Sequence, residues 1–258
     1  MSGVPITSYK NRFPFALTVP SWLYPGDYLE NVARVAPFVD GVELLFFEGR
    51  EMSLPGRGTL DGLLALQKEH GLVYNIHMPM DDNLASTNPR ERKEAVASHF
   101  RLMDLVKDFL PSTHTIHLER RVADHDAWVE ASKESLHRLA QGCDPSSITV
   151  ETLDTSLFPL ADTIESLGFY ICLDLGHLIH FGLPVEETIE RFAPRCRMVH
   201  LHGVAGGKDH RSLAEMETAH IDRLLPFLLS YTHTLSVEIF KADPCFESIA
   251  LLDSLLPR

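Results

Sequence analysis

Short apolar runs alternate with longer amphipathic ones from one end of the chain to the other. Apolar runs at 13–19, 40–47, 72–78, 114–119, 147–153, 169–175, 197–203 and 234–240 predict strands. Segments near 27–36, 59–70, 90–110, 124–141, 158–167, 185–193, 218–230 and 244–255 predict helices. The third helix has the clearest pattern, with Ala95, Phe100, Met103, Val106 and Leu110 recurring at helical spacing among charged residues. Pro25-Gly26, Gly71, Pro111, Gly142, Gly168 and Pro194 punctuate the joints. Eight strand-helix pairs favour a closed (β/α)8 TIM barrel, which typically takes about 250 residues, over an open doubly wound sheet. The open alternative would want a GxGxxG turn after an early strand, and the chain has none. No low-complexity linker divides it, so residues 1–258 read as one TIM-barrel domain whose apolar last helix closes the barrel.

Seven of the strand runs end on residues of metal-ligand type: DGVE43, VYNIH77, HTIH117, ITVE151, ICLD174 with LGH177 just after, MVHLH202 and LSVE238. A strand interior is a costly place for a charge or an imidazole unless it is paired or coordinated. Side chains alternate along a strand, so Glu151 shares a face with Thr149, Asp174 with Cys172, Glu238 with Ser236 and His202 with His200. Val150, Leu173, Leu201 and Val237 take the opposite face and point to the helices. The acids therefore face the barrel interior at its C-terminal rim, where such barrels carry their chemistry.

Glu151, Asp174, His202 and Glu238 form the expected core of a site. Three carboxylates and an imidazole suit a divalent ion such as Mn2+, Zn2+, Mg2+ or Fe2+, with zinc or manganese foremost. Pairing with buried Lys or Arg is the alternative, but the strands supply almost none. His77, His117 and His177 extend the set toward a second or third ion, giving one to three per chain. His200 sits one step deeper and is expected to be a core histidine with a single hydrogen bond. Glu43 is a candidate ligand, base, substrate contact or outer partner of a ligand. In the glycine-rich loop 203–215, Asp209 and His210 are further metal candidates, and Lys208 and Arg211 are candidate phosphate-holding residues. Arg120 and Arg121 at the same rim are a second possible anion clamp. His99, His125, His137 and His220 fall in helical or loop segments and are expected to be structural or solvent-facing.

Composition narrows the partners. The formal net charge is -13, which argues against nucleic acid, whose binding rests on Lys and Arg neutralising phosphates. Nothing approaches the roughly 18 apolar residues of a membrane span, and no signal-peptide pattern opens the chain. Four scattered cysteines without a CxxC read as reduced thiols of a cytoplasmic protein.

These strand-end motifs resemble the xylose-isomerase-like barrel superfamily, which includes sugar isomerases, epimerases and endonuclease IV nucleases. The resemblance spans essentially the whole chain. In the epimerase branch it implies one metal at the positions of Glu151, Asp174, His202 and Glu238, with Glu151 and Glu238 as acid and base. In the endonuclease IV branch it implies a trinuclear zinc site that adds His77, His117, His177 and an Asp-x-His; this chain has the adjacent pair Asp209-His210 instead. More narrowly, FPFALTVPSWLYPGDYLENVARVAPFVDGVELLFFE (13–48), NIHMP (75–79) and HLHGVAGGKDHRSL (200–213) are similar to the CbiR family. Those are cobamide-remodelling phosphodiesterases, which release cobinamide phosphate and an α-ribazole-type nucleoside.

The expected activity is thus metal-dependent hydrolysis of the phosphodiester in a cobamide nucleotide loop. Metal-dependent isomerisation or epimerisation of a sugar or sugar phosphate is the alternative, with Glu151 and Glu238 moving a proton. A corrinoid binder without catalysis would not need so complete a rim of ligands.

Overall fold

Each of the eight apolar runs becomes a strand of three to six residues, and each strand is followed by helix. The computed structural model describes residues 7–256, so the outermost ends of the span read as one domain, 1–6 and 257–258, lie outside the described residues. Chain order is β1 (Ala16–Pro20), α1 (Tyr28–Val35), β2 (Gly41–Leu45), α2 (Arg57–His70), β3 (Val73–His77), α3 (Pro89–Val106), β4 (His114–Ile116), α4 (His125–Gly142), β5 (Ile148–Glu151), α5 (Ala161–Leu167), β6 (Tyr170–Asp174), α6 (Leu175–His180), α7 (Val185–Phe192), β7 (Cys196–Leu201), β8 (Gly203–Ala205), β9 (Lys208–Arg211), α8 (Thr218–Ser230), β10 (Thr234–Val237) and α9 (Ala242–Leu255). All but β8 and β9 form one closed parallel barrel, in the order β1-β10-β7-β6-β5-β4-β3-β2. This is the expected (β/α)8 TIM barrel.

Local chemistry sets the element ends. Asp27 and Glu30 form a reciprocal capping box on α1, and Asn88 caps α3 ahead of Pro89 at its first position. Gly71 ends α2 in the left-handed conformation at φ 61°. Leu17, Val42, Leu44, Tyr74, Ile76, Val150, Leu173, Val199, Leu235 and Val237 are buried against the helices. Thr18, Asn75, Thr115, Thr149, Cys172 and Ser236 take the alternate positions and fill the barrel. They are small or polar, and Thr115 and Thr149, paired on the adjacent strands β4 and β5, hydrogen-bond at 3.0 Å. α9 buries Cys245, Ile249 and Leu252, as expected of a closing helix.

Two elements differ from expectation. The stretch after β7, read as a glycine-rich loop, contains the antiparallel β8–β9 hairpin. Its turn is Gly206-Gly207, both at positive φ (59° and 72°), which suits a two-residue turn. The short helix α6 springs directly from Asp174, whose side chain accepts the His177 amide at 2.7 Å and starts the helix. No helix among the described residues is long and apolar enough to cross a membrane.

Candidate metal centre and cavity

Four side chains from successive strands meet at the centre of the rim. Glu151 ends β5, Asp174 ends β6, His200 lies in β7 and Glu238 follows β10. All four are buried, and one ligand atom from each lies within 4.8 Å of the others. His200 Nδ1 stands 3.3 Å from Glu151 Oε1, 3.4 Å from Glu238 Oε2 and 3.8 Å from Asp174 Oδ2. Two further groups flank this tetrad, one of His77, His117 and Glu151, the other of His177, His202 and His210. His117 Nε2 approaches Glu151 Oε2 at 2.8 Å, and His77 Nε2 lies 3.8 Å from both Glu151 and Glu238.

The tetrad therefore contains His200, where the sequence pointed to His202. Pairing across the sheet explains the exchange. Asp174 is level with His200, after a shift of the β6–β7 register at Ile171/Cys172. His202 lies one step further out, beside α6. Its Nδ1 accepts the His210 amide at 3.0 Å, and its Nε2 faces Asp174 Oδ1 at 3.2 Å. His200 makes more than a single contact, since its Nε2 also donates to Glu43 Oε1 at 2.9 Å.

Acids gathered this way suit a cation. Among the described residues, the side chains that pair with Glu43, Glu151, Asp174 and Glu238 are all histidines, and none is Lys or Arg. Burial pushes the Glu238 carboxyl well above its usual range; His200 opposes this, but Glu151, Asp174 and Glu43 add to it. Burial also raises Glu151 and Asp174, yet facing histidines outweigh it and hold both low. Burial lowers His177, but Asp174 and Glu151 more than reverse this and lift it to about 11. His77 drops to about 4, through burial and then the neighbouring His117. Asp174 Oδ2 and Glu238 Oε2 are buried without an aligned hydrogen bond. Three crowded carboxylates, two of them with an idle oxygen, are what a divalent ion would satisfy, so the residues fit the expected metal.

The tetrad underlies a cavity of about 470 Å3 lined by His77, His117, Glu151, His177 and Glu238. Asp209 and His210 also line it, although consecutive strand residues normally face opposite ways. The hairpin register explains this. Gly203 pairs with Arg211 and Ala205 with Lys208, so β9 carries one extra residue, and His210 takes a left-handed φ of 48°. The adjacent pair thus reaches one site without an intervening residue. Asp209 Oδ2 lies 3.7 Å from His177 Nε2.

Three expected substrate contacts do not line this cavity. Lys208 and Arg211 line a neighbouring hollow, which shares Asp209, His210 and Phe240 with it, and Arg211 pairs with Glu215 at 2.7 Å. Glu43 does not line the cavity; it is fully buried beneath it, as an outer partner of His200. The cation that does line the cavity is Arg121, held by Glu119 and by the Met80 carbonyl at 2.8 Å. Arg120 does not line it. His180 and Asp154 also belong to this region and were not singled out from sequence; His180 sits three residues after His177 on α6, 3.9 Å from Asp209. His99 and His137 bond to carbonyls of their own helix, at 2.9 and 2.8 Å, away from the cavity.

The sequence profile of the xylose isomerase-like TIM barrel family matches residues 32–253. The chain belongs to that family. Among solved structures, this xylose isomerase-like barrel is similar to a D-tagatose 3-epimerase-like protein (TM-score 0.75, 15% identity, 93% of this chain and 97% of that one). It is also similar to the D-psicose 3-epimerase of Clostridium cellulolyticum H10 (TM-score 0.72, 15% identity, 93% and 98%). A third is the probable 3-DHS dehydratase AsbF of Bacillus anthracis (TM-score 0.69, 13% identity, 92% and 99%). These identities establish a common fold. No curated protein matches the chain significantly.

Proposed function

We propose that this xylose isomerase-like barrel is a metal-dependent phosphodiesterase that hydrolyses the nucleotide loop of cobamides. The observation that carries the reading is the pair of imidazole-rich groups flanking the tetrad, one of them sharing Glu151 with it. A single-ion sugar site needs the tetrad alone. In this reading Glu151, Asp174, His200 and Glu238 would hold one ion. His77 and His117 with Glu151 would hold a second, and His177 with Asp209, His210 and His202 a third. Divalent ions there supply Lewis acidity toward phosphoryl oxygens and lower the pKa of water. Arg121, fixed by Glu119 and the Met80 carbonyl, meets the remaining phosphoryl charge. Water adds to phosphorus, the bond from phosphorus to the ribose oxygen breaks, and that oxygen takes up a proton. The phosphate stays on the corrinoid arm. Similarity of 13–48, 75–79 and 200–213 to the CbiR family supports the choice of substrate.

Incubation of zinc- or manganese-loaded protein with adenosylcobalamin, followed by chromatography, tests this. Cobinamide phosphate and an α-ribazole-type nucleoside are expected in equal amounts, and Glu151→Gln should abolish their formation while leaving the fold intact. No cleavage with any of several metals would overturn the reading. A second reading, epimerisation of a sugar, is favoured by Glu151 and Glu238 both lining one cavity and by the epimerases among the similar structures. Elemental analysis separates them: two or three ions per chain support the hydrolase, one the epimerase.

A further inference from the structure

The acidic site opens through a mouth of quite different chemistry. Phe47, Met80, Phe181 and Phe240 line the same cavity as Glu151 and His177. Trp22 packs edge-on against Phe47, with ring centroids 5.7 Å apart. These side chains follow β1, β2, β3, α6 and β10, so they stand around the rim from several directions. Trp22, Phe47, Met80 and Phe181 are each 40% to 45% exposed, and they make up four of the nine large apolar side chains exposed among the described residues. Scattered exposed apolar residues need no explanation, but a cluster joined to a cavity marks a contact surface. Water gains nothing from this rim, and a free sugar or sugar phosphate would leave most of it uncovered.

We infer that this rim is a binding subsite for the broad apolar part of the substrate, which lies outside the cavity while the reacting group reaches down to the acids. On the cobamide reading, from which the identity of the occupant is taken, that part is the corrin ring. Trp22 and Phe47 offer ring faces and edges, Met80 and Phe181 adaptable and flat apolar area. Arg121 lines the same cavity and donates to the carbonyl of the rim residue Met80, and on this reading it meets the phosphate linking the two parts of the substrate. Contacts remote from the reacting group then contribute to its placement.

Binding to metal-free protein separates this claim from the catalytic one. Dicyanocobinamide, which has the ring and lacks the nucleotide, is measured by equilibrium dialysis against the chelator-treated full chain. Saturable binding of one equivalent is expected, unaffected by millimolar ribose 5-phosphate. The double variant Phe47→Ser/Phe181→Ser changes two exposed side chains, and circular dichroism checks its fold. It should bind at least tenfold more weakly and, once metal-loaded, should raise KM for adenosylcobalamin more than it lowers kcat. Absence of saturable binding to the wild type, or equal binding by the folded double variant, overturns the inference. If cobinamide binds in a rim-dependent way and no cobamide is cleaved, the subsite stands and the phosphodiesterase reading falls. If cleavage proceeds with KM unchanged in the variant, the reverse holds.

Discussion

Glu43 and His200 show how a residue that never meets substrate can shape the site. Glu43 is fully buried, and its Oε1 accepts from His200 Nε2 at 2.9 Å. That bond places the other ring nitrogen, Nδ1, among Glu151, Asp174 and Glu238. Burial raises Glu43, but His200 more than offsets it, so the carboxylate stays ionised. Carboxylates in this role raise the basicity of a ligand histidine, and losing one costs about 10–100-fold in metal affinity. Glu43→Gln keeps an acceptor of the same shape and should weaken zinc or manganese by that range in metal-buffered titration, with the fold retained. Unchanged affinity would remove Glu43 from the site. Proton uptake and release gives an independent check. His177, at about 11, holds a proton at neutral pH that a divalent ion must displace, and His200 and Glu238 are shifted in the same direction, toward the protonated form. His77 and His210, each at about 4 mainly through burial, are already neutral and release none. Metal affinity should therefore rise with pH between 6 and 8. Calorimetry in buffers of different ionisation enthalpy should report net proton release; net uptake would contradict the assignment.

Element-scale detail decides which of two histidines faces the acids. Strand parity was legible in the sequence and put Glu151, Asp174, Glu238, His200 and His202 on the inward face, as observed. Depth along the strand was not legible, because it depends on how β6 and β7 align, and the shift at Ile171/Cys172 leaves no mark in either run. The glycine pair at 206–207 did carry a hairpin signal, but a bulge that turns both Asp209 and His210 inward is visible only in the pairing. Helix α6 adds a test. A methyl group on Gly176 would sit 2.3 Å from His202 Cε1, so only glycine lets the helix pass this close to the ring. Helix propensity alone would favour alanine by about 1 kcal/mol. Gly176→Ala should instead destabilise by about 1–3 kcal/mol, the usual range for overpacking. At roughly 2–4 °C per kcal/mol for a chain near this size, thermal melting will resolve the sign. A stabilised variant would mean that His202 moves freely.

At the scale of the whole molecule, folding itself brings together acids that are far apart in sequence. Closing β1 against β10 brings Glu43, from the first half of the chain, beneath Glu151, Asp174 and Glu238 from the second. The net charge of -13 adds a general repulsion to this local one. The barrel supplies histidines in place of Lys or Arg, and histidines can both share protons with carboxylates and surrender them to a metal. Stability and metal loading should consequently be linked. An ion present at a hundred times its dissociation constant stabilises by about 2.7 kcal/mol, which corresponds to roughly 5–11 °C in Tm. Chelator-treated protein should melt lower than zinc- or manganese-loaded protein by about that amount, and adding the metal back should restore the higher Tm. Glu151 belongs both to the tetrad and to the group with His77 and His117. Glu151→Gln should therefore lose most of the metal-induced shift, while its metal-free Tm stays close to that of the metal-free wild type. If chelation strips the metal and leaves Tm unmoved, the acids at the rim are held by their histidines alone, and the metal centre is the part of the reading that fails.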